Sequence, residues 1–325
     1  MTSPSYQLFR GQLPMFDGQQ RAFGLLRCSD AAGHEGWGEI APLSGFSRDS
    51  LDEALQEAIE LLQQPDGRTP TCPSLAWAVD TAQLNLEAAQ KNIPLCQLMR
   101  AAAPRHIAIN ALLMPDEPIS RDRTYPIVKC KVGARPIAEE ADRLRKVPVR
   151  LRLDANRSLS LGQALTLSMA LSELDVEYIE EPVKAFEDLP AFIEQSHFPV
   201  ALDETLREKT SAELAHLDLG AIVYKPSLMG SWIRLMHWHE FAVERGIEMT
   251  ISAAYETGIG LWNLANVAAG LSNASPYAGL DTYRFLAEDL LDPRLDFSEG
   301  RLDLSSSFAT AYRVNTELLE EIPHG

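Results

Sequence analysis

Hydrophobic and polar positions change rhythm near residue 105. Before that point, alternating runs span Tyr6 to Leu13 and Ala22 to Cys28 and lead into GWGEIAPL, which predicts three strands. Two helical segments follow. The first opens at Ser47 or Ser50 and carries Leu51, Leu55, Ile59 and Leu62 at helical spacing; the second, SLAWAVDTAQLNLEAAQ, begins after Pro73. This predicts an α+β domain over residues 1–103, with loops at Gly11, Gly18, Gly33 and Gly36 between the strands. From about 106 onward, eight short β-rich runs alternate with helical stretches: IAINALL, YPIVKCKVG, VRLRLDAN, VEYIEEP, PVALDET, GAIVYKPS, IEMTISAA and AGLDTY. Between them lie candidate helices at 136–146, 161–174, 186–195, 208–217, 231–245 and 258–271. Eight strand-helix units in series predict a parallel (β/α)8 barrel, of the TIM type, over residues 104–285. No Gly-rich phosphate loop follows the first run, which argues against a doubly wound open sheet. Residues 286–325 are expected to pack on the barrel and the N-terminal domain.

Charge and cysteine usage narrow the function classes. Lys plus Arg number 29 against 46 Asp plus Glu, a net charge of −17 that repels phosphate backbones and anionic lipid surfaces. Nucleic acid and membrane partners are therefore not expected, and no obligatory protein partner is evident. Cys28, Cys72, Cys96 and Cys130 form no zinc-type spacing and read as free thiols, which suits a reducing cytoplasm. The N-terminal stretch has neither a basic nor an apolar region of a secretory signal, and no segment is apolar for long enough to span a bilayer.

In an acidic protein, inward-pointing lysines stand out. Successive runs end KCK, LDAN, IEEP, LDET and YKP, so five strands carry ionisable groups at their C-terminal ends, where barrel enzymes build their sites. Alternation sorts them by face. Val149, Leu151 and Leu153 face the helices, so Arg150, Arg152 and Asp154 face the barrel interior; Lys129 and Lys131 share a face with Ile127. Glu180 and Glu181 must diverge, as must Asp203 and Glu204, and alternation does not choose between them. Three carboxylates on adjacent strand ends make a hard oxygen site that suits Mg²⁺ rather than zinc. His237 and His239 fall two apart within a helix, on different faces, and read as surface or packing residues. A lysine beside a dication and another ammonium has its charged form disfavoured, which equips it to act as a base.

This series resembles the enolase superfamily, specifically its muconate-lactonising branch, with a lysine on each side of the site. Within that branch it most resembles the o-succinylbenzoate synthase family of menaquinone biosynthesis, through GWGEIAPLSGFS, PSLAWAV, LRLDANR, EEPVK, DETLRE, KPSLMGS and GLDT. The resemblance implies a Mg²⁺-dependent lyase in which Asp154, Glu180 and Asp203 bind the metal. It implies that Lys131 is general base and then acid, that Lys129 assists it, and that Lys225 stabilises an enediolate from the opposite face. Ser252 matches a position near the substrate, and Arg152 and Asn156 are further candidates for orienting it. The implied reaction is syn-dehydration of 2-succinyl-6-hydroxy-2,4-cyclohexadiene-1-carboxylate to 2-succinylbenzoate, with residues 1–103 as a capping domain on the barrel whose loops near Gly18 and Gly45 close over the succinyl arm. Two departures bear on substrate contacts: ISAAYETG is poor in serine, and GLDT carries one acid, Asp281, where dipeptide epimerases carry paired acids. The alternatives are an N-succinylamino acid racemase or another two-lysine epimerase, and a catalytically silent Mg²⁺-dependent binding protein.

Overall fold

A computed structural model describes residues 4–64, 67–119 and 125–324. Strands β1 (Ser5–Pro14), β2 (Gln20–Ser29) and β3 (Glu35–Ile40) form an antiparallel meander covered by helices Leu51–Gln63 and Pro73–Gln90. Of the two serines that could start the first helix, Ser50 caps it, exchanging hydrogen bonds with Glu53 in a capping box. Ser47 instead accepts from Leu43 N–H and closes the turn before it. The second helix lies directly on β3: a Cβ at Gly38 would sit 1.9 Å from the Ala78 carbonyl oxygen, and one at Gly36 would sit 2.0 Å from that of Ala82. Glycine at both places is what lets the helix backbone approach the sheet.

The barrel strands follow in chain order: β4 (His106–Ile109), β5 (Ala111–Leu113), β6 (Ile127–Lys131), β7 (Arg150–Asp154), β8 (Val176–Glu180), β9 (Val200–Leu202), β10 (Ala221–Tyr224), β11 (Glu248–Ile251) and β12 (Tyr277–Ala278). Strands β5 to β11 are parallel and adjacent in sequence order. The ring closes where β12 pairs with β4, which is separated from β5 only by Asn110, and where Ser252 bridges to Gly279. Leu153, Ile179, Leu202 and Ile222 pack outward under the helices, while Tyr178, Ala201, Ala221 and Val223 fill the interior.

Two predicted elements differ. The eighth strand, expected over 278–283, ends at Ala278, and residues 281–285 form a 3-10 turn. Asp281 there accepts the N–H of Leu112, replacing the ladder bond that a longer strand would have supplied. The helix expected over 208–217 is two short helices, Thr205–Glu208 and Ser211–Leu214, because Thr210 caps the second in a box with Glu213.

The helix Gly258–Gly270 is buried along its whole length, lying between barrel and cap as its largely apolar sequence requires. Its two asparagines are satisfied by the N-terminal region: Asn263 donates to Trp37 O and accepts from Asn85, and Asn266 accepts from Cys96 N–H. Past the barrel come β13 (Leu291–Asp292), β14 (Arg301–Asp303), β15 (Arg313–Val314) and β16 (Leu319–Ile322). Strand β14 pairs with β4, and β16 joins the cap sheet beside β1. All four cysteines are free, and among the described residues no helix is long and apolar enough to cross a membrane.

Candidate active site

Parallel register sets the site. Lys131 stands opposite Asp154, Asp154 opposite Glu180, and Glu180 opposite Ala201, two residues before Asp203 on the same face. Ala221 on β10 also stands opposite Ala201, so Asp203 and Lys225 follow on that face too. Four strand steps separate β6 from β10 in a ring of eight, which puts Lys131 and Lys225 on opposite walls. Both lysines and Lys129 line a cavity of about 460 Å³ at the C-terminal mouth of the barrel, together with Asn156, Ser252 and Tyr255. Leu43 and Phe46 of the cap complete its wall. The loop at Gly45 thus borders the cavity, whereas no residue of the loop at Gly18 does.

Behind the lysines lie the carboxylates, all buried. Lys129 Nζ is 2.9 Å from Asp154 and 2.7 Å from Glu180; Lys131 Nζ is 2.6 Å from Asp154; Lys225 is paired with Asp203. Lys131 also donates to Asn156 Oδ1 at 2.6 Å, and Asn156 Nδ2 donates to Glu204 at 3.0 Å. Burial alone would raise the Asp154 carboxyl, but Lys129, Lys131 and Lys225 outweigh it and hold it well below the usual carboxylate range. Glu180 goes the other way: burial, with the Asp154 charge added, pushes it up to about 8. Burial opposes the charges of Lys129 and Lys225, and their carboxylate partners overcome it, so both are held above the ordinary lysine value. This direction is opposite to the lowering expected beside a dication, because here the lysines are the carboxylates' counter-ions.

The donors are all hard oxygens, and both oxygens of the fully buried Glu180 lack a hydrogen-bond partner of good geometry. That chemistry fits a divalent cation such as Mg²⁺. The carboxylates are nevertheless each paired with a lysine, Asp154 and Glu180 sharing Lys129, and among the described residues no three acidic, cysteine or histidine side chains are gathered tightly enough to enclose a metal ion.

The choices left open by alternation are decided at the strand tips. Glu181 has a left-handed backbone, φ 45°, and turns away from the cavity to accept from the N–H groups of Asp203 and Thr205, with Arg157 on its second oxygen. It holds the Asp203 backbone in place, a role that no local sequence signal marks. Arg152 faces the interior as alternation predicts, but it lies outside the cavity wall. It is fully buried and donates to Glu177, Asn110, Tyr277 O and Ser275, with its guanidinium over the Tyr178 ring. Ser252 reaches the cavity and donates only a long 3.4 Å bond to Gly279 O. His237 is bonded to Ser211 on the surface, and His239 is buried in packing.

Comparisons with known proteins bear on the family and the fold. A family profile described as "Enolase C-terminal domain-like" matches residues 117–308, and one described as "MenC, N-terminal domain" matches residues 5–86. The o-succinylbenzoate synthase of Klebsiella pneumoniae (strain 342) is 31% identical over 312 residues, covering 88% of this chain and 93% of its own. That of Escherichia coli (strain K12) is 31% identical over 299 residues, with 86% and 90% covered. Among solved structures, muconate lactonizing enzyme from Pseudomonas putida has a TM-score of 0.83 at 15% identity, with 97% of this chain and 98% of that one covered. A dipeptide epimerase from Enterococcus faecalis V583 has a TM-score of 0.82 at 19% identity, covering 96% and 100%. At those identities the two structures speak for the fold.

Proposed function

The chain belongs to the enolase superfamily and, within it, to the o-succinylbenzoate synthase family; on that premise we propose that it dehydrates 2-succinyl-6-hydroxy-2,4-cyclohexadiene-1-carboxylate to 2-succinylbenzoate, a step of menaquinone biosynthesis. The observation that carries the reading is the placing of Lys131 and Lys225 on opposite walls of one cavity, with three buried carboxylates behind them. Asp154, Glu180 and Asp203 would hold Mg²⁺, which when bound supplies positive charge next to a substrate carboxylate. Lys131 Nζ takes the proton from the carbon bearing that carboxylate and returns it to the ring hydroxyl, which leaves as water, so one amine serves both transfers on one face. Asn156, bonded to Lys131, fixes the direction of that amine. Lys129, buried between Asp154 and Glu180, contributes charge rather than a proton path. Lys225 lies across the ring and steadies the negative charge that develops. Apolar wall residues such as Leu43, Phe46, Leu112, Met114 and Leu228 help to exclude water from the transfer.

The test is turnover of the cyclohexadiene substrate, followed by ultraviolet absorbance with and without EDTA. Loss of the diene only when Mg²⁺ is present supports the reading, and no turnover in either condition sinks it. The same opposed lysines also suit two-base racemisation of an N-succinylamino acid. Deuterium from D₂O washing into such an amino acid would establish that second activity, and its absence would leave a dedicated dehydratase. A silent binding protein would show neither.

A further inference from the structure

We infer that Arg21, a cap residue at the start of β2, is a positioning residue that sets the spacing of the uncharged part of the cavity wall and thereby the fit of the substrate's succinyl arm. The inference rests on the function proposed above. Its side chain is buried, and it makes its hydrogen bonds to main-chain carbonyls of two different segments. Nη1 donates to Pro42 O and Nη2 to Ala41 O, both at 2.8 Å; Nε donates to Tyr255 O at 2.8 Å, and Nη2 also reaches Ala254 O at 3.4 Å. The first pair directly precedes Leu43 and Phe46, and the second pair belongs to the loop Ser252–Tyr255; these segments meet as two sides of the cavity.

One planar fork therefore spans the gap between cap and barrel where the wall carries no charge. A lysine could satisfy only part of this pattern, because its donors radiate from one atom and cannot address carbonyls of two chains at fixed separation. The buried carboxyls of Glu39 and Glu256 lie near enough to partly offset the cost of burying its charge, without taking up its donors. Each is engaged elsewhere at the same joint: Glu39 accepts from Thr257 and Gly260, and Glu256 from Ser227 and Ala254 N–H. Tyr255 has φ 64°, a conformation that a non-glycine residue keeps only when its surroundings hold it there. Arg21 Nε on its carbonyl and Phe285 against its ring, with centroids 5.8 Å apart, are the restraints. None of the carbonyls that Arg21 holds belongs to a strand end bearing Asp154, Glu180 or Asp203, so releasing them should disturb ligand fit and leave proton transfer in place.

The experiment compares wild type, Arg21→Lys and Arg21→Met for kcat and KM with the cyclohexadiene substrate, and for affinity toward 2-succinylbenzoate by titration calorimetry, below the melting transition of each protein. For Arg21→Lys the expected result is a KM raised about tenfold with kcat within about threefold, and a matching loss of product affinity. Should Arg21→Met fail to fold, Arg21→Lys, which keeps the charge, still decides the question. An Arg21→Lys protein with unchanged KM and product affinity, or with kcat lowered in proportion to a lost folded fraction at constant KM, overturns the positioning role while leaving the proposed function standing. A wild-type protein that neither turns over the substrate nor binds the product overturns both.

Discussion

Replacing Arg152 with Met tests whether this residue serves the ligand or the barrel. Alternation alone makes Arg152 an inward cation able to meet a substrate carboxylate. In the structure it ties β7 to the seam where the ring closes: it bonds Asn110 Oδ1 at 2.9 Å between β4 and β5, Tyr277 O at 3.0 Å on β12, and Ser275 Oγ at 2.8 Å, while its Nε pairs with Glu177 on β8. Methionine keeps much of the hydrocarbon volume and deletes every one of these bonds. Hydrogen bonds to a charged group are worth about 1.5–3 kcal/mol each, but they share one guanidinium whose own burial is costly, so they do not add. Breaking a buried ion pair by removing one partner typically costs about 3–5 kcal/mol, and the expected loss of unfolding free energy is of that size, about 4 kcal/mol. Urea unfolding monitored by circular dichroism measures it, and steady-state kinetics on the folded fraction should show KM within about twofold of wild type. A loss below about 1 kcal/mol accompanied by a tenfold rise in KM would refute the reasoning and return Arg152 to the ligand.

Lys131→Ala should lower kcat by about 10²–10⁴ while circular dichroism stays unchanged, since its ammonium is partly exposed and Asp154 retains Lys129; activity within tenfold of wild type would remove Lys131 from the proton path. Gly38→Ala should destabilise the cap, because the new methyl meets the Ala78 carbonyl oxygen at 1.9 Å and that atom is helix backbone, which cannot swing aside; a melting temperature equal to that of wild type would show that helix and sheet can separate without cost. For Glu39, burial raises the carboxyl to about 7, and its bonds from Thr257 and the charge of Arg21 only partly offset this. The folded state then binds more protons than the unfolded state between about pH 4.5 and 7, so Glu39's contribution is fully present below pH 4.5 and is lost as pH rises toward 7, a change of about 3 kcal/mol. Urea midpoints from pH 4.5 to 7.5 should therefore fall more steeply for wild type than for Glu39→Gln, and parallel slopes would contradict the assignment.

Alternation found the correct face for Lys129, Lys131, Asp154 and Arg152 because side-chain direction in a strand has a period of two and depends on nothing distant. Where a long side chain ends was not legible in the same way. Arg152 stands level with Lys129, which reaches the cavity, yet its own guanidinium is drawn onto Asn110, Tyr277 O and Ser275 and does not join the wall. At the tips alternation itself lapses: Glu181 leaves β conformation, and which acid of EEP faces inward follows from the backbone bonds that Glu181 makes to Asp203 and Thr205. Arg21 and Glu39 were out of reach for a different reason. The barrel residues they bind, Tyr255 and Thr257, lie more than 200 residues away in the chain, and nothing in the local pattern of β2 or β3 distinguishes a buried clamp from an exposed edge residue.

The charges at the site also explain how so acidic a protein could take up an anionic substrate. Lys129, Lys131 and Lys225 face Asp154, Glu180 and Asp203; with Glu180 pushed up to about 8 and mostly protonated near neutrality, the mouth of the barrel is close to balanced and slightly positive although the chain as a whole carries −17. A dianionic substrate entering alone would upset that balance in a partly desolvated cavity, and a dication entering alone would upset it in the other direction. Together they restore it. Under the proposed function, substrate and Mg²⁺ should accordingly bind with positive coupling, each raising the affinity for the other by the same factor. The lysines need not lose their positive charge for this to hold; they need only exchange carboxylate partners for ligand oxygens. That exchange is open to Lys131 and Lys225, which reach the cavity from opposite walls, and it costs most at Lys129, which is wedged between two carboxylates.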